Sequence, residues 1–318
     1  MKVDLVYLWC DSNDVSWQKE KDEFFGLNKD YLHFHNTSNA RYRSNDELKY
    51  SLRSVEKYVP FVDNIYIVTY KQKPDWLNTE HPKIHIVDHT EIMPSTSIPN
   101  YNSIAIELCI DNIPDLNEKY IYLNDDFLFG NFCEEKDFFN GNRPIFYMHK
   151  HHFKLTLKQL IKKGGGGGAN SEKPLVKYDL LHNPTPFTKS MVKNIKRQNE
   201  EKVQITIGCH LRYTGEKYHR IDLQKEAVLQ GKSILRAQKR YPVDGFVRFL
   251  NFFGYRKKIM NMETHAGCLK NILLLKEIKK YKPKTFAIED SEKTTEQELK
   301  LFQNFLEDMF PEKSVFEK

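Results

Sequence analysis

Long apolar runs are missing from these 318 residues. None approaches the roughly 20 residues that a membrane-crossing helix requires. The opening stretch, MKVDLVYLWCDSND, holds only a short apolar run that meets Asp11 at once, unlike the core of an export signal. The expectation is a soluble, cytoplasmic protein. Cysteine is scarce too: Cys10, Cys109, Cys133, Cys209 and Cys268 form no CxxC pair. That argues against a thiolate metal site and a disulfide framework, and for a reducing compartment. Also absent are a Gly-x-Ser-x-Gly elbow, a kinase signature and a dinucleotide fingerprint, each of which would have carried its own chemistry. Glycine numbers 14, and five of these form one run, Gly164–Gly168. No Gly-Lys-Ser/Thr follows it, so it is no phosphate loop. It reads as a flexible tether, natural or engineered, that divides the chain into 1–160, a linker over 161–172, and 173–318.

What is present belongs to a folded chain. Aromatics make up 13%, far above the level of disordered sequences. Lys and Arg total 49 against 43 Asp and Glu, a net +6. The two signs interleave, which describes a solvated surface, and no nucleic-acid partner is expected. One aromatic and basic segment, Tyr241–Met262, combines features of a buried helix and of a surface that touches a membrane. It carries the expectation of peripheral contact at the inner face of the cell membrane. Oligomeric state is not legible.

The first part alternates strand-like and helix-like stretches. Val3–Trp9, Asn64–Tyr70, Lys83–Val87 and Tyr120–Leu123 are rich in β-formers. Between the first two, Ser44 or Asn45 is placed to cap a helix with Leu48, Leu52 and Val55 on one face, and Pro60 stops it. A second helix is expected over Ser103–Asn112. This pattern predicts an α/β fold with a mainly parallel sheet, and ligands of such sheets lie beyond the C-terminal strand ends. Two acidic turns fall there: Trp9-Cys10-Asp11-Ser12-Asn13-Asp14 and Asn124-Asp125-Asp126. Together they could share a divalent cation that neutralises a diphosphate. The later part reads as mostly helical, over Pro184–Arg197, Leu223–Arg240, Gly267–Lys280 and Thr294–Phe310. In the last of these Leu299, Phe302, Leu306 and Met309 form a core-type stripe.

The histidines divide into two sets. His81, His85 and His89 flank a strand, where four residues span about 13 Å, so they do not form a metal cluster. His149, His151 and His152 stand beside Lys150 and Lys154 and suggest an exposed loop or a substrate rim. Acidic strand ends, the basic Arg41-Tyr42-Arg43 segment and isolated histidines suit phosphoryl chemistry.

At four places the string itself is recognisable. RYRSNDELKYSLRSVEKYVPFVDNIYIVTYKQKPDWLN (41–78), PKIHIVDHTEIMP and YIYLNDDFLFG together resemble the longest signature block of the Stealth family. These are hexose-1-phosphate transferases of bacterial capsule synthesis, related to the animal lysosomal-enzyme N-acetylglucosamine-1-phosphotransferase. VDLVYLWCDSNDVSW resembles the first block and HNPTPFTKSMVKNI the third. KTFAIEDSEK with FLEDMFPEKSVFEK is similar to the fourth.

The resemblance implies a GT-A-like (Rossmann-like) nucleotide-sugar core with a mostly helical second part that returns to complete the active site. It implies Mg²⁺- or Mn²⁺-dependent transfer of a sugar-1-phosphate, such as GlcNAc-1-phosphate, from a UDP-sugar to a hydroxyl of an oligosaccharide or polysaccharide acceptor. UMP is released and a phosphodiester forms. The rival outcome is a glycosyltransferase of the same core that forms a glycosidic bond and releases UDP. By the same resemblance Asp125, Asp126 and Asp290 are the metal residues, and His182, Asp126, His210 and Arg212 the catalytic ones. Trp9, Asp11, Asp14, Arg41, Arg43, Asn45, Asp46 and Asn124 would cradle the nucleotide sugar. Asp111 stands where the family often has histidine, and Glu289-Asp290 where Asn-Asp is commoner.

Overall fold

The computed structural model describes residues 2–27, 42–145, 148–152, 176–180, 185–198, 200, 261–265, 275–276, 278–289 and 294–318. A five-stranded sheet runs β10-β4-β1-β2-β3. Its members are β1 (Val3–Leu8), β2 (Val62–Thr69), β3 (Ile84–Asp88), β4 (Lys119–Asn124) and β10 (Thr185–Thr188). The first four are parallel, and β10 closes the edge antiparallel to β4. The α/β expectation holds, and all four predicted strands form within one or two residues of their expected bounds.

Period-two alternation explains why the sheet is covered on both sides. Val3, Leu5 and Tyr7 of β1 join Leu48, Leu52 and Val55 in one core, while Val6 joins Tyr66, Val68, Tyr122 and Phe187 in another. The helix behind the first core is α2 (Glu47–Tyr58), following α1 (Val15–Leu27). Its predicted stripe is buried and it ends just before Pro60. The predicted cap, however, is displaced. Asp46 holds the N-cap position at φ 66 and makes no side-chain cap bond. Asn45 is engaged elsewhere, donating its backbone N–H and Nδ2 to the Glu47 carboxylate at 2.5 and 2.8 Å.

Asp4 is fully buried on β1. Its oxygens accept from the backbone and side-chain amides of Asn64 (3.1 and 3.2 Å) and of Asn117 (2.7 and 2.8 Å). Four donors offset the desolvation of the charge and pin the starts of the central strands together. After β3 comes a single helical turn, α3 (His89–Ile92), closed by an Asp88/Glu91 capping box. The helix expected over Ser103–Asn112 is shorter, α4 (Ser103–Glu107), followed by a 3₁₀ turn at Ile110–Asn112. In that turn the buried Asp111 carboxylate accepts from Lys196 Nζ at 2.7 Å.

A second sheet, β11-β12-β5, joins β5 (Phe127–Phe129), β11 (Asn261–His265) and β12 (Thr285–Glu289). Two-stranded ribbons pair β6 (Phe139–Asn140) with β7 (Arg143–Pro144) and β8 (Met148–His152) with β9 (Val176–Leu180). The β8 ribbon corrects the loop expected at His149–His152. It forms because that segment finds β9 as a partner, which no local pattern announces.

The helix expected over Pro184–Arg197 is also corrected. Residues 185–188 are strand, and α5 covers Lys189–Gln198. The open edge of β4 recruits Thr-Pro-Phe-Thr, with Phe187 stacked 5.5 Å from Tyr120. Proline is admissible because β10 is an edge strand. The closing helix α6 (Glu296–Met309) starts at a Thr295/Glu298 capping box and buries Phe302, Phe305 and Leu306. Leu223–Arg240, Gly164–Gly168, most of Gly267–Lys280 and all but the last two residues of Tyr241–Met262 lie outside the described residues. Among the described residues no helix is long and apolar enough to cross a membrane.

Beyond α6 the chain is clamped to α2. Arg53 Nε and Nη2 each donate to the Glu317 carboxylate at 2.7 Å, and Nη1 donates to the Phe310 carbonyl at 2.8 Å. The Glu317 side chain is 4% exposed. Replacing Glu317 with Ala leaves a nearly buried guanidinium unpaired. It should destabilise the fold by about 3 kcal/mol, read by chemical denaturation, whereas removing the exposed Lys279–Asp308 pair should cost less than about 1 kcal/mol.

A second prediction concerns acid. Burial pushes His89 down to about 4, with the nearby Asp88 charge opposing that shift. Its ring stacks on Tyr70 at 5.7 Å. Below about 6.5 the unfolded chain takes up a proton that the folded chain refuses until about 4. Stability from this group is therefore complete above pH 6.5 and falls as pH drops toward 4, by on the order of 3 kcal/mol. His89→Phe should flatten that part of a stability-versus-pH curve.

Candidate active site

The parallel pairing of β1 with β4 aligns Val3 with Lys119 and Leu8 with Asn124. Both strands therefore end at the same level, and the acidic turns that follow them emerge on one edge of the sheet. On the other side of β1, Leu8 pairs with Val68, and the Trp9 N–H adds one more bond to the Val68 carbonyl at 3.0 Å. Trp9 itself is 8% exposed and belongs to the core.

The turn after β1 is held from several directions. Asp11 Oδ1 accepts from Asn13 N at 2.8 Å, and Ser12 N donates to the Tyr42 carbonyl at 2.9 Å. Asp14 Oδ1 accepts from Ser16 N, Ser16 Oγ and Trp17 N at 2.9, 2.6 and 3.1 Å. That is the geometry of an N-cap for α1, and these bonds, led by the Ser16 hydroxyl, lower the Asp14 carboxyl below its ordinary value. Gln72 completes the set. Its Oε1 accepts from Asp11 N at 3.1 Å, and its Nε2 donates to Asp11 O at 2.8 Å and Asp14 Oδ2 at 3.3 Å.

On the opposite turn, Asp125 and Asp126 link β4 to β5 and carry the chain from the first sheet to the second. Burial, with the Glu47 carboxylate adding to it, pushes Asp125 up to about 7. Glu47 opens α2 and is oriented by Asn45. A hydroxyl ladder secures this corner: Tyr7 and Ser51 share a hydrogen bond of 2.8 Å, and Ser51 Oγ lies 2.5 Å from the Phe127 carbonyl that it donates to. Ser54 Oγ then accepts from Phe129 N at 2.9 Å. Asn124 Oδ1 accepts from the Tyr122 hydroxyl at 2.9 Å.

Asp125 and Glu47 are hard oxygen donors whose mutual repulsion a divalent cation would relieve, so this corner has the chemistry of a Mg²⁺ or Mn²⁺ ligand set. Among the described residues no cluster of three or more His, Cys, Asp or Glu side chains close enough to hold a metal forms. Asp290, the remaining expected ligand, lies outside the described residues, as do Arg41, His182, His210 and Arg212. Arg43, Asn45 and Asp46 stand together at the start of α2, half-buried, and Lys49 Nζ donates to Asp46 Oδ2 at 2.8 Å. The sequence patterns did not single out Gln72, Glu47, Tyr7 or Ser51. Their signal is contact between distant segments, and only Tyr7, an aromatic at the end of a β-run facing a helix, carried a local hint.

The family described as Stealth protein CR2, conserved region 2, matches residues 41–146, a stretch holding Arg43–Glu47, Gln72 and Asp125–Asp126. A capsular polysaccharide phosphotransferase of Haemophilus influenzae is 30% identical over 282 residues, spanning 83% of this chain and 75% of the relative. Two exopolysaccharide phosphotransferases of Streptomyces coelicolor are 33% and 45% identical over 63% and 44% of the chain. This chain spans only 35% and 23% of their lengths. Among solved structures, the galactosyltransferase LgtC in complex with donor and acceptor sugar analogs is 10% identical at a TM-score of 0.37, covering 96% of this chain and 95% of that one. The α/β class rests on the strand order of this chain itself.

Asp46 gives the site a clean separation of structure from function. Its φ of 66 lies in the left-handed region that glycine adopts without steric cost. Asp46→Gly should therefore be neutral or stabilising by up to about 1 kcal/mol in thermal or chemical unfolding. Any fall in activity in that variant then reports the lost carboxylate.

Proposed function

This chain belongs to the Stealth family, and from that premise we propose that it transfers a sugar-1-phosphate from a UDP-sugar to a sugar hydroxyl in capsular or surface polysaccharide synthesis. The observation that carries the reading is the register of β1 with β4, which brings Asp11 and Asp125–Asp126 to one sheet edge, joined to 30% identity across most of a capsular phosphotransferase.

In this reading residues 1–160 form a GT-A-like nucleotide-sugar core. Residues 173–318 supply the acceptor side and bring His182, His210, Arg212 and Asp290 to it. The turn at Trp9–Asp14 and the Arg43–Asp46 segment cradle the nucleotide sugar, with Arg41 and Asn124 beside them. Asp125 and Asp126 would hold Mg²⁺ or Mn²⁺, which when bound would offset the charge of the diphosphate. The acceptor oxygen attacks the phosphorus that bears the sugar. The bond from that phosphorus to the bridging oxygen breaks, UMP leaves, and a phosphodiester remains. His182 is the proposed acceptor of the hydroxyl proton, and Arg212 and His210 are the proposed groups that offset the charge of the transferring phosphoryl group. Peripheral contact with the inner face of the cell membrane would bring the enzyme to its acceptor.

Nucleotide release from UDP-GlcNAc with Mg²⁺ and a panel of short capsule-type acceptors tests the proposal. Acceptor-dependent UMP is the expected product, and Asp126→Asn should lower its rate at least about 100-fold. UDP in its place would mean attack at the anomeric carbon and a glycosidic bond.

A further inference from the structure

Gln72 is 8% exposed and follows β2 by three residues. The chain bends sharply to present it. Lys71 takes a left-handed φ of 55, and its backbone N–H donates to Asp88 Oδ2 at 2.7 Å. The Gln72 amide then grips both backbone polar groups of one residue in a segment about sixty residues away. It accepts from the N–H of Asp11 and donates to that residue's own carbonyl. A third bond reaches the Asp14 carboxylate. Asp11's backbone is thus held on both polar groups by one side chain, and Asp14, which caps α1, is tied to the same amide.

We propose that Gln72 is the positioning residue of the donor turn: it fixes the Asp11 backbone so that the Asp11 carboxylate is already oriented when the nucleotide binds. This rests on the reading that Trp9–Asp14 cradles the nucleotide sugar. The residue type follows from the task. A side-chain amide accepts from an N–H through its oxygen while it donates to a C=O through its nitrogen; a carboxylate cannot donate, an ammonium cannot accept, and a thioether does neither well. An apolar side chain of similar length would fill the space and leave the backbone N–H and C=O of Asp11 without this partner. A buried amide is costly unless bonded, and here its bonds all converge on a single turn. The consequence is preorganisation: an ordered turn does not have to be ordered by the ligand. The effect should appear in nucleotide affinity and not in the fold as a whole.

The test is calorimetric titration of the full chain with UDP in the presence of Mg²⁺, with the melting temperature of each variant. Gln72→Met keeps the volume and loses the bonds. Its Kd for UDP should rise about tenfold, the scale of one or two lost hydrogen bonds, while its melting temperature stays within a few degrees of wild type. Asp11→Asn should also weaken UDP. Because Gln72 acts through Asp11, the double variant should be no more than about twofold weaker than Asp11→Asn alone.

Multiplicative losses in the double variant would overturn the proposal. So would a Gln72→Met Kd within twofold of wild type beside a weakened Asp11→Asn, a result that leaves the donor-turn reading standing. If wild type fails to bind UDP, or Asp11→Asn binds it as wild type does, the donor-turn reading falls and this proposal with it. Should Gln72→Met melt much lower, Gln72→Glu is read in its place. It keeps the bond from Asp11 N and sets a carboxylate against the Asp11 carbonyl and Asp14. A weaker Kd at an unchanged melting temperature is again expected, and a lowered melting temperature with an unchanged Kd would reduce Gln72 to packing.

Discussion

The parallel pairing of β1 with β4 is the constraint on which the rest of the molecule depends. From Val3↔Lys119 to Leu8↔Asn124 the two strands run without a shift, so the turns that follow them leave the sheet side by side. A slip of one residue would reverse every side chain of β1. Tyr7 would leave its Ser51 partner, and Asp4 would leave the amides of Asn64 and Asn117 that satisfy it. The four-donor cage around Asp4 lies at the start of this strand and the acidic turn at its end. One sets the register that the other uses.

Around that pair, α2 acts as a brace with three points of attachment. At its first turn the Glu47 carboxylate is held by Asn45 and faces Asp125. At its middle, Ser51 and Ser54 bond to the backbone of β5 on either side of Leu128. Further along, Arg53 grips Glu317 and the Phe310 carbonyl. Through these attachments α2 presents Glu47 to the β4–β5 turn, where its charge adds to burial in raising the Asp125 carboxyl. Two carboxylates held near each other in a partly buried corner are a local source of instability. The clamp at the end of the chain is remote from the chemistry, yet it holds the helix that presents one of them.

The segments contributed late in the chain complete both sheets. β10 closes the main sheet as an edge beside β4, and β12 is the central strand of the small sheet, between β11 and β5. α5 is tied down by the Lys196–Asp111 pair. There the buried Asp111 carboxylate gains a charged partner that the second part of the chain supplies. The parts of the chain that follow the glycine run therefore pair with both strands that flank the Asn124–Asp126 turn, as Asn124 ends β4 and Phe127 begins β5.

Residue order alone determined the elements whose cause is local. Four β-rich runs became four parallel strands because alternation and β-branching describe a surface buried on both faces. Leu48, Leu52 and Val55 specified the buried stripe of α2, and Pro60 its end. The acidic residues just past β1 and β4 were visible as turns. Tertiary structure decided everything that required knowing which segments meet. Asp46 displaced the stronger local caps because Asn45 was taken by Glu47. Thr185–Thr188 became a strand because β4 had an open edge, and His149–His152 because β9 lay alongside. Gln72 became the holder of the Asp11 backbone, and was joined to the Asp14 cap, through bonds that cross the chain. The division has one physical reason. Burial repeats with the period of a helix or strand and leaves a pattern along the chain, whereas a hydrogen bond between residues sixty apart has direction and distance but no period.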